Sequence, residues 1–524
     1  MGTILNPSNK GFKEALNSKI YVDKSKLINL TNEVIDTVGK YVCVSRPRRF
    51  GKTIAASMLT AYYSRGCNSK EIFKKLKIKD TNNFLKYLNK YNVLKINMDD
   101  FLSKGKDAEG MISKLTKKVI KEIKQEYPEL KDEEWDDLEE ACDDVYSVSQ
   151  IPFIFIIDEW DCLLRKRKNM QKEHEEYLDF LKLILKDKEY VALAYMTGIL
   201  PIKKYGVHSA LNMFTEISMT NPREYAEFTG FTEEEVKELC DRYKMSYEET
   251  KKWYDGYDLK GISIYNPRSV VMSMTGHDYD NYWTSTENYE ALGTYIKMNF
   301  DGLRDTIVRL LAGEKIKVST KGFTNDMVTF NSKDDVLTLL IHLGYLTYDF
   351  YTEMTWIPNN EVSEEFAEVI KTLNWCGVSK SLILSDELLK ATINMNEEKV
   401  ANYIDEAHDE NASILKYNDE NSLACVLTIA YFSAGNYYTI DRELPAGKGY
   451  ADIVFKPLAN ITMPAMIIEL KYDKTAKTAI KQIKDRKYVS GLKGYHGEVL
   501  LVGINYNKGD TNKRHECKIE KIKI

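Results

Sequence analysis

The chain has 524 residues, 43% of them hydrophobic and 29% charged, and a formal net charge of −5 at pH 7. This length predicts about two to four domains with cores of their own, in a composition typical of a soluble globular protein. Such a chain is no polycation, so nucleic-acid binding must come from a local basic surface.

In chain order, Tyr21-Val22-Asp23-Lys24 precedes an amphipathic stretch, Leu27-Ile28-Leu30-Val34-Ile35, expected ahead of the first strand and near an adenine. The apolar run Tyr41-Val42-Cys43-Val44 then leads into Ser45-Arg46-Pro47-Arg48-Arg49-Phe50-Gly51-Lys52-Thr53 and a helix-like segment, Ile54 to Leu59. Strand, tight loop ending in Gly-Lys-Thr, and helix is the layout of a phosphate-binding P-loop. Gly51 lets backbone approach the phosphates, and the helix N-terminus offers free N–H groups. Lys52 is expected at the terminal phosphates and Thr53 on Mg²⁺. The usual opening glycine falls at Arg46, and Pro47 removes one N–H donor. Arg46, Arg48, Arg49 and Phe50 are taken with Gly51, Lys52 and Thr53 as the nucleotide-binding set. A polar turn before a surface helix is the plainer alternative, disfavoured by the flanking strand and helix.

Val93 to Met98 reads as a second strand, and residues 105–148 as charged, helix-forming sequence whose acidic run, Asp132 to Asp137, is a solvated helix face. Pro152-Phe153-Ile154-Phe155-Ile156-Ile157-Asp158-Glu159-Trp160-Asp161 reads as a buried parallel strand with carboxylates at its carboxyl end, where ligands bind in open α/β sheets. Asp158 is expected in the Mg²⁺ shell and Glu159 against the attacking water, with Asp161 a polar neighbour. The strand Tyr190 to Met196 ends in Thr197, either a γ-phosphate sensor or a turn cap. Strand–helix alternation to about residue 225 predicts a doubly wound, mostly parallel sheet.

From Phe228 the pattern changes. Thr232 and Glu235 form a capping box, and Trp253-Tyr254-Asp255-Gly256-Tyr257 and Tyr265-Asn266-Pro267-Arg268-Ser269 read as short helices and turns of a lid-like subdomain. A winged-helix-like unit is expected within residues 300–375. Near the C-terminus, a helix-like segment (Leu423 to Phe432) is followed by Tyr437 to Glu443 and a turn at Gly447-Lys448-Gly449. The strands Tyr450 to Phe455 and Ala465 to Tyr472 come next. Asp452, a hairpin's distance, then Glu469-x-Lys471 is the arrangement of PD-(D/E)XK nucleases. Residues i and i+2 of a strand share a face, so Glu469 and Lys471 point together, onto the face Asp452 reaches from its neighbour. The two carboxylates suit Mg²⁺, and Lys471 suits the nucleophile or the developing charge. The next helix offers Gln482 and Tyr488 beside Lys481, Lys484, Arg486 and Lys487, a local cationic surface. An ordinary cross-strand Glu–Lys pair would explain Glu469-x-Lys471 alone, but not the ordered set with Glu443, Asp452, Gln482 and Tyr488.

The eight cysteines (Cys43, Cys67, Cys142, Cys162, Cys240, Cys376, Cys425 and Cys517) form no C-x-x-C pair and the seven histidines are dispersed, against a disulfide framework or zinc site. The opening MGTILNPSNKGFKEAL is no charged-then-apolar leader and no apolar run is of membrane-spanning length, so a cytoplasmic protein without membrane attachment is expected.

These residues together resemble a family of bacterial AAA-ATPase-like proteins fused to a C-terminal PD-(D/E)XK nuclease-superfamily domain. The match is carried by Tyr21 to Lys24, Arg46 to Thr53, Asp158 to Asp161, Tyr254 to Tyr257, Tyr265 to Pro267, and Glu443, Asp452, Glu469, Lys471, Gln482 and Tyr488. The resemblance implies that Arg46 is the family's own loop variant. It also marks Tyr450 as a departure, since such domains often carry a basic residue before the Asp.

The expected architecture is α/β multidomain: an AAA-like P-loop ATPase domain at 1–230 with a parallel sheet, a helical lid and winged-helix-like middle region at 231–375, and an α/β restriction-endonuclease-like domain at 376–524. The expected function is ATP binding and hydrolysis coupled to a Mg²⁺-dependent nuclease acting on DNA, with ATP and Mg²⁺ as cofactors and a homo-oligomer in view. Glu159, Asp452, Glu469, Lys471 and Gln482 are the catalytic set, and Thr53, Asp158, Asp452 and Glu469 the metal ligands. A nucleotide-switched scaffold that binds nucleic acid or a partner without cutting is the alternative. A nucleotide kinase would leave the C-terminal site unused. Arg48, Arg49 and Arg223 are candidate arginine fingers, with a neighbouring subunit as the alternative source.

Overall fold

The structure is a computed structural model describing residues 2–202, 211–283, 289–298, 301–323, 330–373, 375–411, 420–446, 449–458, 461–492, 494–507 and 514–524. Two compact units emerge, one comprising Met1–Glu287 with Lys317–Glu361 and the other Asn288–Ile316 with Val362–Ile524.

The first unit is built on five strands, β1 (Tyr41–Ser45), β2 (Asn92–Asn97), β3 (Phe153–Asp158), β4 (Val191–Gly198) and β5 (Thr215–Ile217). They form one sheet in the order β2-β3-β4-β1-β5, every neighbouring pair parallel. β1, β3 and β4 are buried along their whole length, the pattern of strands covered on both faces. Their side chains alternate between two cores. Val42, Val44, Ile154, Ile156, Leu193 and Tyr195 pack with the helix Lys52–Tyr63, while Tyr41, Cys43, Phe153, Phe155, Ile157 and Met196 pack on the other face. The three expected strand ends, Ser45, Asp158 and Thr197, therefore meet at one sheet edge, because Val44 pairs with Thr197 and Ile157 with Met196.

The acidic run departs from expectation: Asp132 to Asp136 are not helical, and Asp137 caps the helix Leu138–Ser149 by accepting from Glu140 N–H. Beyond the parallel sheet, β6 (Phe231–Thr232), β7 (Tyr257–Leu259) and β8 (Ile262–Tyr265) form a small sheet ordered β6-β8-β7. The Thr232/Glu235 capping box is present on the helix Glu233–Tyr243. The region expected to be winged-helix-like contains the helices Leu303–Leu311 and Lys333–Leu343 and the strands β9 (Ile316–Lys317), β10 (Thr347–Asp349) and β11 (Met354–Trp356). The division between units runs through it, at Ile316/Lys317 and again at Glu361/Val362.

The second unit carries a mixed sheet of β12 (Tyr438–Ala446), β13 (Gly449–Pro457), β14 (Ala465–Tyr472), β15 (Glu498–Tyr506) and β16 (His515–Lys523), in that order. Only β14 and β15 run parallel, and the helix Ala476–Asp485 lies between them in the chain, as a parallel pair requires. Ile480 and Ile483 of that helix bury against Val454, Ile467 and Leu501. Of the expected turn at Gly447-Lys448-Gly449, the first two residues lie outside the described residues.

Candidate functional site

Gly51 adopts φ +85, the left-handed geometry a glycine reaches without strain, and the helix Lys52–Tyr63 starts directly after it. Thr53 Oγ1 donates to Asp158 Oδ2 at 2.8 Å. Thr197 Oγ1 donates to the other carboxylate oxygen, Oδ1, so this hydroxyl holds Asp158 rather than capping the following turn. Thr53, Asp158 and Thr197, from three separate segments, thus close into one constellation. Its hydroxyl and carboxylate oxygens are the hard donors Mg²⁺ takes, so the residues fit that ion. Lys52 is buried and donates to the carbonyls of Arg46 (2.9 Å) and Pro47 (2.8 Å). Burial pushes its ammonium down to about 8, against the opposing pull of Glu159, Asp158 and Asp161.

Glu159 follows β3 with φ +55 and pairs with Arg165, whose Nε reaches Asp161 Oδ2 at 3.0 Å. Asp161, wholly buried, also accepts from Ile199 N–H (3.0 Å) and Leu200 N–H (2.8 Å). Sequence reasoning left Arg165 out. Its only signal was its spacing of four residues from Asp161, one turn of helix.

Two loop residues expected at the nucleotide are placed elsewhere. Arg46 is fully buried, with Nε donating to Thr229 Oγ1 (3.0 Å) and Nη1 to the Ser45 carbonyl (3.0 Å), and burial lowers it to about 10. Phe50 is also fully buried, edge-on to Tyr257 at 5.1 Å, while its carbonyl accepts from Gly230 N–H (3.0 Å). Pro47 lies so close to Gly344 that a Cβ there would come within 2.8 Å of it, at φ +90. The RPRRF segment therefore clasps the loop to residues 229–230, 257 and 344; tertiary packing takes the side chains that the spacing assigned to a ligand. Arg48 and Arg49 diverge. Both guanidiniums are lowered chiefly by burial, but Arg48 senses Arg165, Glu159 and Asp161, whereas Arg49 senses Arg268 and Glu361. Arg223 is exposed at φ +48.

The remaining family motifs of this unit are structural in placement. Asp23 accepts from Ser25 and Lys77 N–H groups, and Lys24 donates to Glu235 and the Glu227 carbonyl. Asp255 accepts from Ser263, Tyr257 donates to the Gly344 carbonyl (2.8 Å), and Asn266 caps the helix Pro267–Gly276.

In the second unit, β13 pairs with β14 through Ile453 and Ile468, and continuing that register sets Asp452 across from Glu469. Leu470 N–H donates to Asp452 Oδ2 at 2.7 Å. Glu469 and Lys471 are both buried, and Lys471 Nζ donates to Glu469 Oε1 (2.8 Å) and to the Leu470 carbonyl (2.8 Å). Gln482 Nε2 donates to Glu469 Oε1 and lies 3.1 Å from Tyr488 Oη. Asp452, Glu469, Lys471, Gln482 and Tyr488 are thus gathered from two strands and the crossover helix. Glu443, by contrast, is exposed at φ +50 between the paired positions Arg442 and Leu444, and Tyr450 is 63% exposed. Among the described residues no cluster of three or more His, Cys, Asp or Glu is set to hold a metal ion. The two carboxylates Asp452 and Glu469 nonetheless fit Mg²⁺, which often takes only one or two protein carboxylates beside water and phosphate oxygens. Lys477, Lys481, Lys484, Arg486 and Lys487 are exposed on and just after the crossover helix.

Residues 11–208 match the family model described as a predicted AAA-ATPase, and residues 418–516 match that of the PD-(D/E)XK nuclease superfamily. The chain is 24% identical over 511 residues to an uncharacterized protein in the vnfD 5′ region of Azotobacter chroococcum mcd 1, spanning 93% of each. Among solved structures, it aligns with the ORC2 protein of Aeropyrum pernix at 12% identity and a TM-score of 0.29, covering 70% of this chain and 98% of that one. No helix among the described residues is long and apolar enough to cross a membrane.

Proposed function

We propose, from a chain that joins an AAA-ATPase-like domain to a PD-(D/E)XK nuclease-superfamily domain, a nucleotide-controlled nuclease that hydrolyses ATP and cuts DNA. The observation that carries the reading is the gathering of Asp452, Glu469, Lys471 and Gln482 at one end of β14, on a unit with a cationic helix beside it.

At the nucleotide site, Gly51 and the start of the helix Lys52–Tyr63 receive the phosphates, and Lys52 turns from the loop carbonyls to their charge. Thr53 and Asp158 would hold Mg²⁺, which supplies charge neutralisation across the terminal phosphates. Glu159 accepts a proton from the attacking water, and Thr197 keeps Asp158 oriented. At the nuclease site, Asp452 and Glu469 would hold Mg²⁺, which supplies Lewis-acid stabilisation of the phosphate oxygens. Lys471 orients the attacking water or neutralises charge on the scissile phosphate. Gln482 fixes the Glu469 carboxylate, and Lys477, Lys481 and Lys487 track the DNA backbone. ATP state then governs cleavage. The domain boundaries proposed for this organisation are 1–230, 231–375 and 376–524, with a cytoplasmic location and homo-oligomerisation as further proposals.

The test is cleavage of labelled linear, circular and single-stranded DNA with Mg²⁺, with and without ATP, by the wild type and by Glu469→Gln. ATP-sensitive cleavage that disappears in the variant supports the reading; cleavage that survives in it points to a contaminant. A second reading, a nucleotide-switched scaffold that binds nucleic acid without cutting, draws on the engagement of both carboxylates by Leu470, Lys471 and Gln482. Metal-independent DNA retention with no cleavage under any nucleotide would select it.

A further inference from the structure

Arg165 belongs to none of the motifs that point to the nucleotide site, yet its side chain is only 8% exposed and its guanidinium spans two carboxylates there. Nη2 pairs with Glu159 and Nε with Asp161 at 3.0 Å. Asp161 is in turn fixed by the N–H groups of Ile199 and Leu200, directly past the end of β4 that carries Thr197. Glu159 sits at φ +55, a left-handed conformation uncommon for residues other than glycine. The left-handed backbone sets where its side chain leaves the chain, and the Arg165 guanidinium holds its carboxylate. That guanidinium is tied through Asp161 to the same strand end that holds Asp158.

We infer that Arg165 is the positioning residue for Glu159, setting its carboxylate against the water that attacks the terminal phosphate. This rests on the ATP-hydrolysis reading and deepens it. An arginine suits the task because one rigid fork serves two carboxylates at fixed spacing; a lysine ammonium on a flexible stem brings the charge without the fork. Burial disfavours the charge on Arg165, but Asp161 and then Glu159 outweigh it and the guanidinium is raised overall, so it holds the pair through any working pH. Arg48, Lys52 and Arg165 share the neighbourhood with Asp158, Glu159 and Asp161, which keeps the cluster electrically balanced without drawing Arg165 from its partners.

The test is steady-state ATP hydrolysis and equilibrium nucleotide binding by the full chain carrying Arg165→Ala, Arg165→Lys or Glu159→Gln. A general base displaced by about 1 Å loses on the order of 10²-fold in rate. Arg165→Ala is therefore expected to lower kcat by about 10- to 100-fold, with KM and Kd for ATP within about twofold of wild type. Arg165→Lys is expected to recover part of that loss. Should Arg165→Ala not fold, Arg165→Gln, which keeps the stem and a donor, carries the same expectation. Unchanged kcat in the Arg165 variants while Glu159→Gln is inactive would overturn the inference alone. So would a parallel loss of kcat, ATP affinity and melting temperature, the signature of a merely structural arginine. Hydrolysis that Glu159→Gln leaves intact would overturn the ATPase assignment beneath it.

Discussion

Removing the Glu469 side chain should do more than abolish cleavage. Lys471 and Glu469 form a pair whose side chains are 7% and 2% exposed, joined at 2.8 Å, with Gln482 donating to the same carboxylate oxygen. Glu469→Ala leaves the Lys471 ammonium buried beside a carbonyl alone, and breaking a buried pair from one side costs about 3–5 kcal/mol. For a unit of this size each kcal/mol moves the melting temperature by about 2–4 °C, so the transition of the C-terminal unit should fall by roughly 6–20 °C. Glu469→Gln keeps the volume and an acceptor for Lys471 but removes its counter-charge, so it should lose cleavage with a shift smaller than that of Glu469→Ala. Glu469→Ala combined with Lys471→Met removes both charges, and its stability should recover toward wild type, giving a coupling energy of about 2 kcal/mol or more. Calorimetry and urea denaturation on wild type, Glu469→Ala, Lys471→Met and the double variant complete the cycle. Additivity within about 0.5 kcal/mol would refute the buried-pair argument, because uncoupled residues add to that margin.

Four further expectations follow from the nucleotide unit and the basic helix. Lys52→Ala should abolish ATP binding, measured by fluorescent-nucleotide titration, and unchanged affinity would remove Lys52 from the site. With its ammonium lowered to about 8 by burial, Lys52 is partly neutral above that pH, and bound phosphate raises it again. ATP affinity should accordingly fall as pH rises through about 8, and binding at pH 8.5 should take up protons, read by calorimetry in buffers of different ionisation enthalpy. No proton uptake, or uptake that persists in Lys52→Ala, would contradict this. Phe50→Ala, which empties a buried ring site against Tyr257, should cost about 3–5 kcal/mol, whereas a ring lying on the nucleotide would cost mainly ATP affinity. Lys477→Glu with Lys481→Glu should weaken DNA binding across sequences and lower the slope of log affinity against log salt by about 2. An unchanged slope would move the DNA path off this helix.

The strands and carboxylates of both sites were legible because their logic is local. A run of buried apolar residues ending in Asp158 announces its own end, and two-residue alternation puts Glu469 beside Lys471 whatever surrounds them. The antiparallel pairing of β13 with β14 then sets Asp452 across from Glu469. What stayed hidden depends on partners remote in the chain. Arg46 looks like a phosphate contact by position, yet its partner Thr229 is 183 residues away. Whether the helix Leu303–Leu311 joins the core before it or after it is likewise decided by packing, not by its own period.

The displaced loop arginine also explains how a P-loop tolerates losing its first glycine. Glycine is required where backbone must approach phosphate at a conformation other residues avoid, and here that demand falls on Gly51 at φ +85. At position 46 the chain is still leaving β1: Arg46 N–H donates to the Gly198 carbonyl, continuing the pairing of β1 with β4. A strand-like residue needs no glycine, and its side chain can point into the protein. Burying that guanidinium is costly, and Thr229 and the Ser45 carbonyl satisfy it only in part. The same burial joins the nucleotide loop to the segment at 229–230. Arg46 thus gives the loop a fixed link at Thr229, while Phe50 against Tyr257 and Pro47 against Gly344 tie the same loop to residues further along the chain.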